Sequence, residues 1–231
     1  MLLIDKILLL FADYHHKRII NYFTSYDLDT LVDVGSHRGE FLKMALKFKS
    51  FRKIYCFEPQ KKIFLILKKK FSKYKKISFF NLALDNKKTK KFLYINALTS
   101  TTTMSTFDKK SKWLKIKNLL MNSKSNYIEK YKVNTSSLDL ILKNKKLNKC
   151  LLKIDVEGFE YNVLKGSRKK MREIPYIIIE NQFGKHYKNN NYDIVERYLY
   201  KNNYSILKKF LSPTLHYQDI IFKKKSQKIN N

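Results

Sequence analysis

Short apolar segments alternate with helical patterns along most of this chain, and that alternation limits the folds it can adopt. Residues 176–180 form an apolar run that follows Pro175, which is typical of a central strand in a parallel sheet. Similar runs at 31–34, 53–57 and 150–155 are each followed by a helical pattern. The sequence therefore predicts an α/β fold with a doubly wound, mostly parallel sheet.

The remaining elements follow from the same patterns. Further strands are predicted at 77–84, with an extension at 92–95, and at 127–134, 204–210 and 217–222. Further helices are predicted at 63–71, 138–142, 159–166 and 192–200. We assign the folded domain to residues 30–222 and expect residues 223–231 to form a disordered basic tail.

An amphipathic helix is predicted in the N-terminal segment, residues 1–29. Ile4, Ile7, Leu8 and Phe11 recur there at helical spacing. Such a helix either docks onto the domain or lies on a membrane surface, so peripheral membrane contact is one alternative for this segment.

The net charge of +30 suggests a polyanionic partner, but its composition favours another interpretation. Only six of the 49 basic residues are arginine, and glycine, proline and alanine are also scarce. Abundant Lys, Asn, Ile, Phe and Tyr are what A/T-rich codons would produce. We therefore interpret most of the excess as solvated lysine and expect no nucleic-acid partner.

The sequence also predicts the cellular compartment of the protein. The longest apolar stretch near the start is residues 7–12, which is too short to cross a membrane. Asp5 and Lys6 precede it and no small-residue cleavage site follows, which argues against a secretory signal. Cys56 and Cys150 both fall in predicted strands, as expected of buried, reduced thiols. These features predict a cytoplasmic protein.

Five of the chain's 19 acidic residues fall at the ends of four predicted strands. They are Asp33, Glu58, Asp155, Glu157 and Glu180. In open α/β sheets, ligands bind at the carboxyl ends of the strands beside the topological switch point. In a chain dominated by lysine, this distribution indicates a site that requires negative charge.

The first strand–helix turn indicates which ligand the site binds. Residues 33–39 read D-x-G-x-x-x-G, without the spacing of a dinucleotide fingerprint. Gly35 permits a tight turn, Gly39 is expected to let the helix start pack against the strand, and a ligand could lie on exposed backbone amides. Glu58 follows Gly35 at about the offset where an acid meets a ribose diol. A nucleoside without a pyrophosphate suggests S-adenosylmethionine, whose cationic sulfonium the carboxylates would favour.

With these residues identified, the chain resembles the FkbM-type family of S-adenosylmethionine-dependent methyltransferases. The resemblance extends from Leu31 to about Phe222. It rests on the motifs at 33–39, 57–59, 81–84 and 133–139, and most specifically on K-I-D-V-E-G-F-E at 153–160, followed by V-L-K-G at 163–166 and I-I-E at 178–180.

The resemblance implies a seven-stranded Rossmann-like methyltransferase fold and a set of cofactor-binding residues. Those on the methionine side would be Asp33, Gly35, Ser36, His37 and Gly39, those at the ribose Glu58 and Pro59, and those at the adenine Asn81 and Ala83. The family's usual products imply O-methylation of a hydroxyl on a sugar, a surface glycan or a secondary metabolite.

Catalysis is assigned to the acids that follow the strand at 150–155. We expect Asp155 to act as a base or acceptor anchor, with Glu157 and Glu180 assisting, and Lys153 to pair with an acid on the same strand face. Capping of helix starts or pairing with lysines is the alternative role for these acids, and for Glu157 and Glu160 in particular. We expect no metal, with Mg²⁺ held by Asp155 and Glu180 as the alternative. The Ser/Thr-rich segment 99–107 is either a lid over the acceptor or a connecting loop.

Two other functions remain open. An RNA methyltransferase would account for the twelve lysines between Lys61 and Lys91, which Asp85 alone opposes. If the protein only bound the cofactor without catalysis, Asp155, Glu157 and Glu180 would have no function. The predicted partner is a small-molecule or glycan acceptor, and an anionic acceptor would be steered by the lysines. The sequence does not indicate an oligomeric state.

Overall fold

The computed structural model describes residues 3–95, 103–104, 129–183 and 192–225, with side chains from Leu10 onward. The helices are α1 (Leu3–Tyr22), α2 (Glu40–Phe48), α3 (Lys61–Phe71), α4 (Leu138–Ile141), α5 (Glu160–Lys165) and α6 (Tyr192–Lys201). The strands are β1 (Thr30–Val34), β2 (Lys53–Phe57), β3 (Ile77–Phe80), β4 (Ala83–Leu84), β5 (Thr89–Ile95), β6 (Glu129–Ser136), β7 (Cys150–Ile154), β8 (Tyr176–Gln182), β9 (Tyr204–Leu211) and β10 (Tyr217–Lys224).

Seven strands form the main sheet, in the order β3-β2-β1-β7-β8-β10-β9. Neighbours from β3 to β8 are parallel, and β10 runs antiparallel to both β8 and β9. The chain builds outward from β1 to β3 and then returns to place β7 on the other side of β1. The carboxyl ends of β1 and β7 therefore form the topological switch point, where open α/β sheets bind ligands. The predicted seven-stranded, mostly parallel sheet is confirmed.

Helices cover both faces of the sheet because residues along each strand point alternately to the two sides. On one face, side chains such as Leu31, Leu151 and Ile178 pack against α1, α2 and α3. On the other face, Val32, Leu152 and neighbouring residues pack against α4, α5 and α6. Each face thus has its own apolar core, as a doubly wound fold requires.

The strand predicted at 77–84 is divided between two sheets. β3 pairs with β2 in the main sheet, whereas β4 pairs with β6 in a separate three-stranded sheet of order β4-β6-β5. Asn81 lies at the division, and its side-chain amide donates to the backbone carbonyls of Glu58 and Pro59. These bonds tie the end of β3 to the loop after β2, so the chain turns out of the main sheet instead of extending it.

Helix α1 docks onto the domain through its C-terminal half. Ile19 and Ile20 are fully buried against the face of the sheet that also packs against α2 and α3. Nearer the start of the helix, Leu10, Phe11 and Tyr14 are exposed. None of the described helices is long and apolar enough to span a membrane. Contact of the exposed apolar residues with a membrane surface remains a prediction.

Three smaller expectations concern the lysines, the tail and the cysteines. Helix α3 buries Ile63, Leu67 and Phe71, whereas the lysines of that helix are exposed, as predicted for a solvated face.

Strand β10 continues to Lys224, two residues past the predicted domain end, because its last residues still pair with β8 and β9. Residues 226–231 of the predicted tail lie outside the described part. Both cysteines are free and buried, as predicted.

Candidate active site

The loop after β1 and the loop after β7 meet at Gly35. A Cβ atom at this position would lie 1.8 Å from the backbone oxygen of Asp155, and the φ angle of Gly35 is +82°. Both conditions require glycine. The predicted cofactor loop and the predicted catalytic acid are therefore in direct contact.

The backbone amides of residues 35–39 all donate to acceptors within the protein, which contradicts the expectation that they are exposed to a ligand. Gly35 and Ser36 donate to Phe57 O, His37 to Glu58 Oε2, Arg38 to Glu40 Oε2 and Gly39 to Ser36 O. The Ser36 hydroxyl also donates inward, to Asp33 O at 2.8 Å. A cofactor at this turn would therefore depend on carboxylates and on packing more than on an amide cradle.

Gly39 begins α2 in a left-handed conformation, with φ +81°. A Cβ atom there would lie 2.4 Å from Phe71 Cε2 and 2.9 Å from Leu67 Cδ1. The close packing that Gly39 permits is thus with α3, and not with the strand as the sequence suggested.

Glu58 lies at the end of β2 with its carboxylate turned toward the glycine turn. Oε2 accepts from the His37 amide at 2.9 Å, and Oε1 accepts from the Gln60 amide at 2.8 Å. Burial raises the pKa of Glu58 to about 7, although both amide bonds favour the charged form. A carboxylate has about four acceptor positions, so two remain for a diol.

Pro59 and Asn81 line a pocket of about 340 Å³ between the loop after β2 and the three-stranded sheet. Lys61, Lys90, Tyr131 and Lys132 also line it. The two predicted cofactor residues thus face one cavity. Ala83 is buried in β4, where it packs with Leu93 and Val133. Its proposed place beside the adenine is not tested by this packing.

Lys153 links two of the predicted acids beneath the switch point. Its Nζ donates to Asp155 Oδ2 at 2.8 Å and lies 3.9 Å from Asp33 Oδ1. Burial alone would lower the pKa of Lys153, but the charges of Asp155 and Asp33 raise it above its ordinary value. The predicted pairing of Lys153 with an acid is therefore confirmed, and Asp155 is held as a salt-bridged carboxylate.

Asp33 is fully buried in β1, and its two carboxylate oxygens accept no hydrogen bond from the described residues. Burial raises the pKa of Asp33, while the charge of Lys153 opposes that shift. A buried carboxylate without a hydrogen-bond donor is costly, so a donor from a bound ligand would stabilise it.

Asp155, Glu157 and Glu180 form one group, here called the acidic cluster. One side-chain oxygen from each lies within 4.8 Å of the other two. The Gln182 side-chain amide bridges Glu157 Oε2 at 2.5 Å and Glu180 Oε1 at 2.9 Å. All three acids that the sequence assigned to catalysis are thus brought together.

The loop that carries Glu157 is held in a strained form. Glu157 has a φ of +55°, an uncommon value for a residue other than glycine. Glu160 is buried and its Oε1 accepts from the amides of Val156 and Gly158, which ties the loop to the first residue of α5. Thr103 Oγ1 donates to the Glu157 carbonyl at 2.6 Å, which places one residue of the predicted lid segment against the acidic cluster. Most of the segment 99–107 lies outside the described residues.

Glu180 lies beside a fourth acid that the sequence did not indicate. Asp219 of β10 is its register partner, so the two side chains lie on the same sheet face. Burial, followed by the charges of Asp155, Glu157 and Asp219, raises the pKa of Glu180 well above its usual range. Asp219 is in turn 2.8 Å from Nε2 of the buried His15, which belongs to α1.

Carboxylate oxygens are ligands that Mg²⁺ accepts, and the spacing of the acidic cluster would admit a cation. We nevertheless predict full activity without one, because Lys153 already neutralises Asp155 and the raised pKa of Glu180 favours its neutral form. Turnover in excess EDTA should stay within about twofold of turnover with added Mg²⁺. Activity that disappears in EDTA and returns with Mg²⁺ would show that the prediction is wrong.

Several solved structures share this fold at low sequence identity. The methyltransferase domain of bacterial CtHen1-C has a TM-score of 0.52 and 13% identity, covering 94% of this chain and 100% of that one. A proposed tRNA (m1A22) methyltransferase from Streptococcus pneumoniae has a TM-score of 0.52 and 11% identity, over 92% and 70%. A protein of the NADB-Rossmann superfamily from Streptococcus agalactiae has a TM-score of 0.52 and 12% identity, over 93% and 69%. These similarities establish the Rossmann-like methyltransferase fold.

The sequence itself identifies the family. No curated protein matches it significantly. The family described as the methyltransferase FkbM domain matches residues 33–206, about three quarters of the chain, from the buried aspartate of β1 into β9. The matched region includes the glycine turn, Glu58 and the acidic cluster. The chain therefore belongs to the FkbM family of S-adenosylmethionine-dependent methyltransferases.

Proposed function

We propose that this protein O-methylates a hydroxyl group of a sugar in a surface glycan or of a secondary metabolite. The observation that supports this proposal is the acidic cluster, which lies beside Gly35 at the carboxyl edge of β7 and β8. A hydroxyl must lose its proton as its oxygen is methylated, and a positioned carboxylate can accept that proton.

The residues at the switch point suit S-adenosylmethionine. The unpaired oxygens of Asp33 would accept hydrogen bonds from the cofactor's ammonium group, and Glu58 has acceptor positions left for the ribose diol. Pro59 and Asn81 line the adjacent pocket, where the adenine would lie. The negative charges of Asp33 and Asp155 would favour the sulfonium.

S-Adenosylmethionine supplies a methyl group on a sulfonium, and transfer is an in-line displacement by the acceptor oxygen. The protein must hold that oxygen in line and remove its proton. Alignment by the surrounding side chains can supply much of the rate. A base in the cluster typically adds about 10²- to 10⁴-fold.

The contacts support a division of labour among the acids. Asp155 is salt-bridged to Lys153, so its carboxylate is held in place and is suited to accept a hydrogen bond and anchor the acceptor. Glu180 has no such cation, and its raised pKa makes it the stronger proton acceptor. We therefore assign Asp155 as the anchor, Glu180 as the base, and Glu157 as a supporting acid that shares Gln182 with Glu180.

The experiment that tests the function directly supplies methyl-labelled S-adenosylmethionine with candidate nucleotide sugars and small hydroxylated metabolites. Incorporation of label into an ether-linked methyl group would support the proposal. Label in nitrogen or carbon positions of the product would overturn the O-methyl assignment. Binding of the cofactor without incorporation, across acceptors that the wider family methylates, would favour the non-catalytic alternative.

An anionic acceptor, such as a nucleotide sugar or a phosphorylated glycan, would be attracted by the lysine-rich surface. For such an acceptor we expect kcat/KM to fall several-fold between about 50 and 500 mM salt, because screening weakens steering. The neutral sugar that lacks the phosphate is the matched control and should show little salt dependence. Equal behaviour of the two acceptors would contradict the steering role.

RNA methylation is the second candidate, and the lysines at 61, 90 and 132 that line the pocket beside Asn81 favour it. If RNA is the substrate, it should copurify with the protein and dissociate steeply with salt, because each neutralised phosphate releases counterions. Absence of retained RNA at low salt, together with labelled sugar product, would remove this candidate.

A further inference from the structure

Two residues connected to Glu180, Asp219 and His15, lie outside the part of the chain that the family match covers. His15 precedes residue 33 and Asp219 follows residue 206, so neither belongs to the matched region. The structure nevertheless connects both residues to the acidic cluster. Asp219 faces Glu180 across the β8–β10 ladder, and His15 reaches Asp219 from α1.

A hydrogen bond between these two residues links α1 to β10. His15 Nε2 lies 2.8 Å from Asp219 Oδ2, and both side chains are buried. His15 Nδ1 has no hydrogen-bond partner among the described residues. A doubly protonated ring would leave a buried N–H unsatisfied, whereas the neutral ring with its proton on Nε2 satisfies Asp219 and leaves no donor unpaired. A bond from His15 to Asp219 favours the ionised carboxylate and opposes the burial that raises the pKa of Asp219.

An ionised Asp219 changes the balance within the acidic cluster. Like charges at close range cannot all persist in a buried site, so one of these acids holds a proton. Asp155 has the cation of Lys153 and Asp219 has the donor of His15, whereas the Gln182 amide that donates to Glu180 is shared with Glu157. Glu180 is therefore the last of these acids to lose its proton, and once ionised it is the strongest proton acceptor among them.

Other titratable groups face this pair from α1, from β10 and from β7 with the loop that follows it. His16, the next residue of α1, packs edge-on against the ring of Phe41, and desolvation followed by the charge of Lys153 lowers its pKa to about 3. Tyr217 of β10 packs its ring against His15, and burial with the nearby Glu180 and Asp219 raises its pKa. Lys153 and Asp155 face Asp219 from β7 and the loop after it, and Asp155 and Glu157 face Glu180.

We propose that His15 is a positioning residue of the active site: it holds Asp219 as a hydrogen-bonded carboxylate beside Glu180 and thereby makes Glu180 the acid that accepts and releases the transferred proton. Helix α1 is thus part of the catalytic apparatus and does more than cover the sheet. This inference deepens the proposed O-methyl transfer and rests on Glu180 being its base.

The test measures the titration of Glu180 directly and does not need the acceptor. In protein labelled with ¹³C at the glutamate carboxyl carbon, the Glu180 resonance is assigned by its loss in Glu180→Gln. In His15→Leu, Asp219 loses its donor and takes up a proton more readily, so the apparent pKa of Glu180 should fall by about one unit. His15→Gln keeps an N–H donor toward Asp219 and should titrate as the wild type does.

Two further variants keep the test decisive. His16→Leu removes the neighbouring histidine, which makes no hydrogen bond to Asp219, and should leave the Glu180 titration unchanged. Asp219→Asn should lower the pKa of Glu180 by itself, and His15→Leu added to it should cause no further shift. An unshifted titration in Asp219→Asn, an equal shift in His16→Leu, or a His15→Gln variant that behaves like His15→Leu would overturn the proposal.

Turnover then separates this inference from the proposed function. With an established acceptor, His15→Leu should shift the acid limb of the kcat/KM profile to lower pH and reduce the plateau several-fold, because a weaker base is a poorer catalyst. A shifted Glu180 titration with an unchanged pH profile would contradict the role of Glu180 as base while leaving the His15–Asp219 coupling intact.

Discussion

Replacement of Glu180 by glutamine is expected to reduce kcat by about 10²- to 10⁴-fold, the contribution of a positioned base. Glutamine has nearly the same shape but cannot take the hydroxyl proton. In the wild type, kcat/KM should fall as the pH drops below the pKa of Glu180, because the protonated carboxyl cannot act as a base. Burial and the neighbouring acids raise that pKa well above 4.5. The fall of kcat/KM at low pH should therefore be absent from the glutamine variant. Steady-state kinetics across pH, with S-adenosylmethionine affinity measured by calorimetry, checks both points.

Glu157→Gln is the matched control, because Glu157 shares Gln182 with Glu180. It should reduce kcat by about tenfold at most and keep the pH profile. Asp155→Asn is expected to weaken acceptor binding as well as stability, since Lys153 would lose its closest partner inside the protein. A larger kcat loss in Glu157→Gln than in Glu180→Gln would assign the base to Glu157 instead.

The main sheet could be predicted from the sequence because its strands are buried on both faces and therefore read as short apolar runs between helices. Each of β1, β2, β7 and β8 lies where the sequence predicted a strand. The division between β3 and β4 could not be predicted, because it depends on hydrogen bonds from Asn81 to carbonyls about twenty residues earlier in the chain. The local pattern of apolar residues contains no information about a contact between residues so far apart in the chain.

The acids of the site were found by one rule, that ligands lie at the carboxyl ends of parallel strands. The rule located Asp33, Asp155 and Glu180, but it could not locate Asp219. Strand β10 runs antiparallel, so its residue at the same edge of the sheet lies near the start of the strand. His15 was also missed as a site residue, because a single histidine in an amphipathic helix indicates only packing. Its position four residues after Phe11 and four before Ile19, on the stripe that faces the domain, was the available signal.

Replacement of Glu58 by glutamine is expected to weaken S-adenosylmethionine binding about 100-fold, because charge-assisted bonds to the ribose diol contribute about 1.5–3 kcal/mol each and 1.4 kcal/mol corresponds to tenfold. Wild-type affinity should weaken as the pH falls through about 7, where Glu58 takes up a proton, and this component should be absent from the variant. Glu160→Gln is the matched control: Glu160 is equally buried, also accepts backbone amides and has a pKa raised to about 7, but it lies at the start of α5, beyond the loop after β7. Calorimetric titration at pH 6 and 8 should therefore show normal affinity in Glu160→Gln. If both variants lose affinity equally, the loss reflects loop stability and the ribose assignment of Glu58 fails.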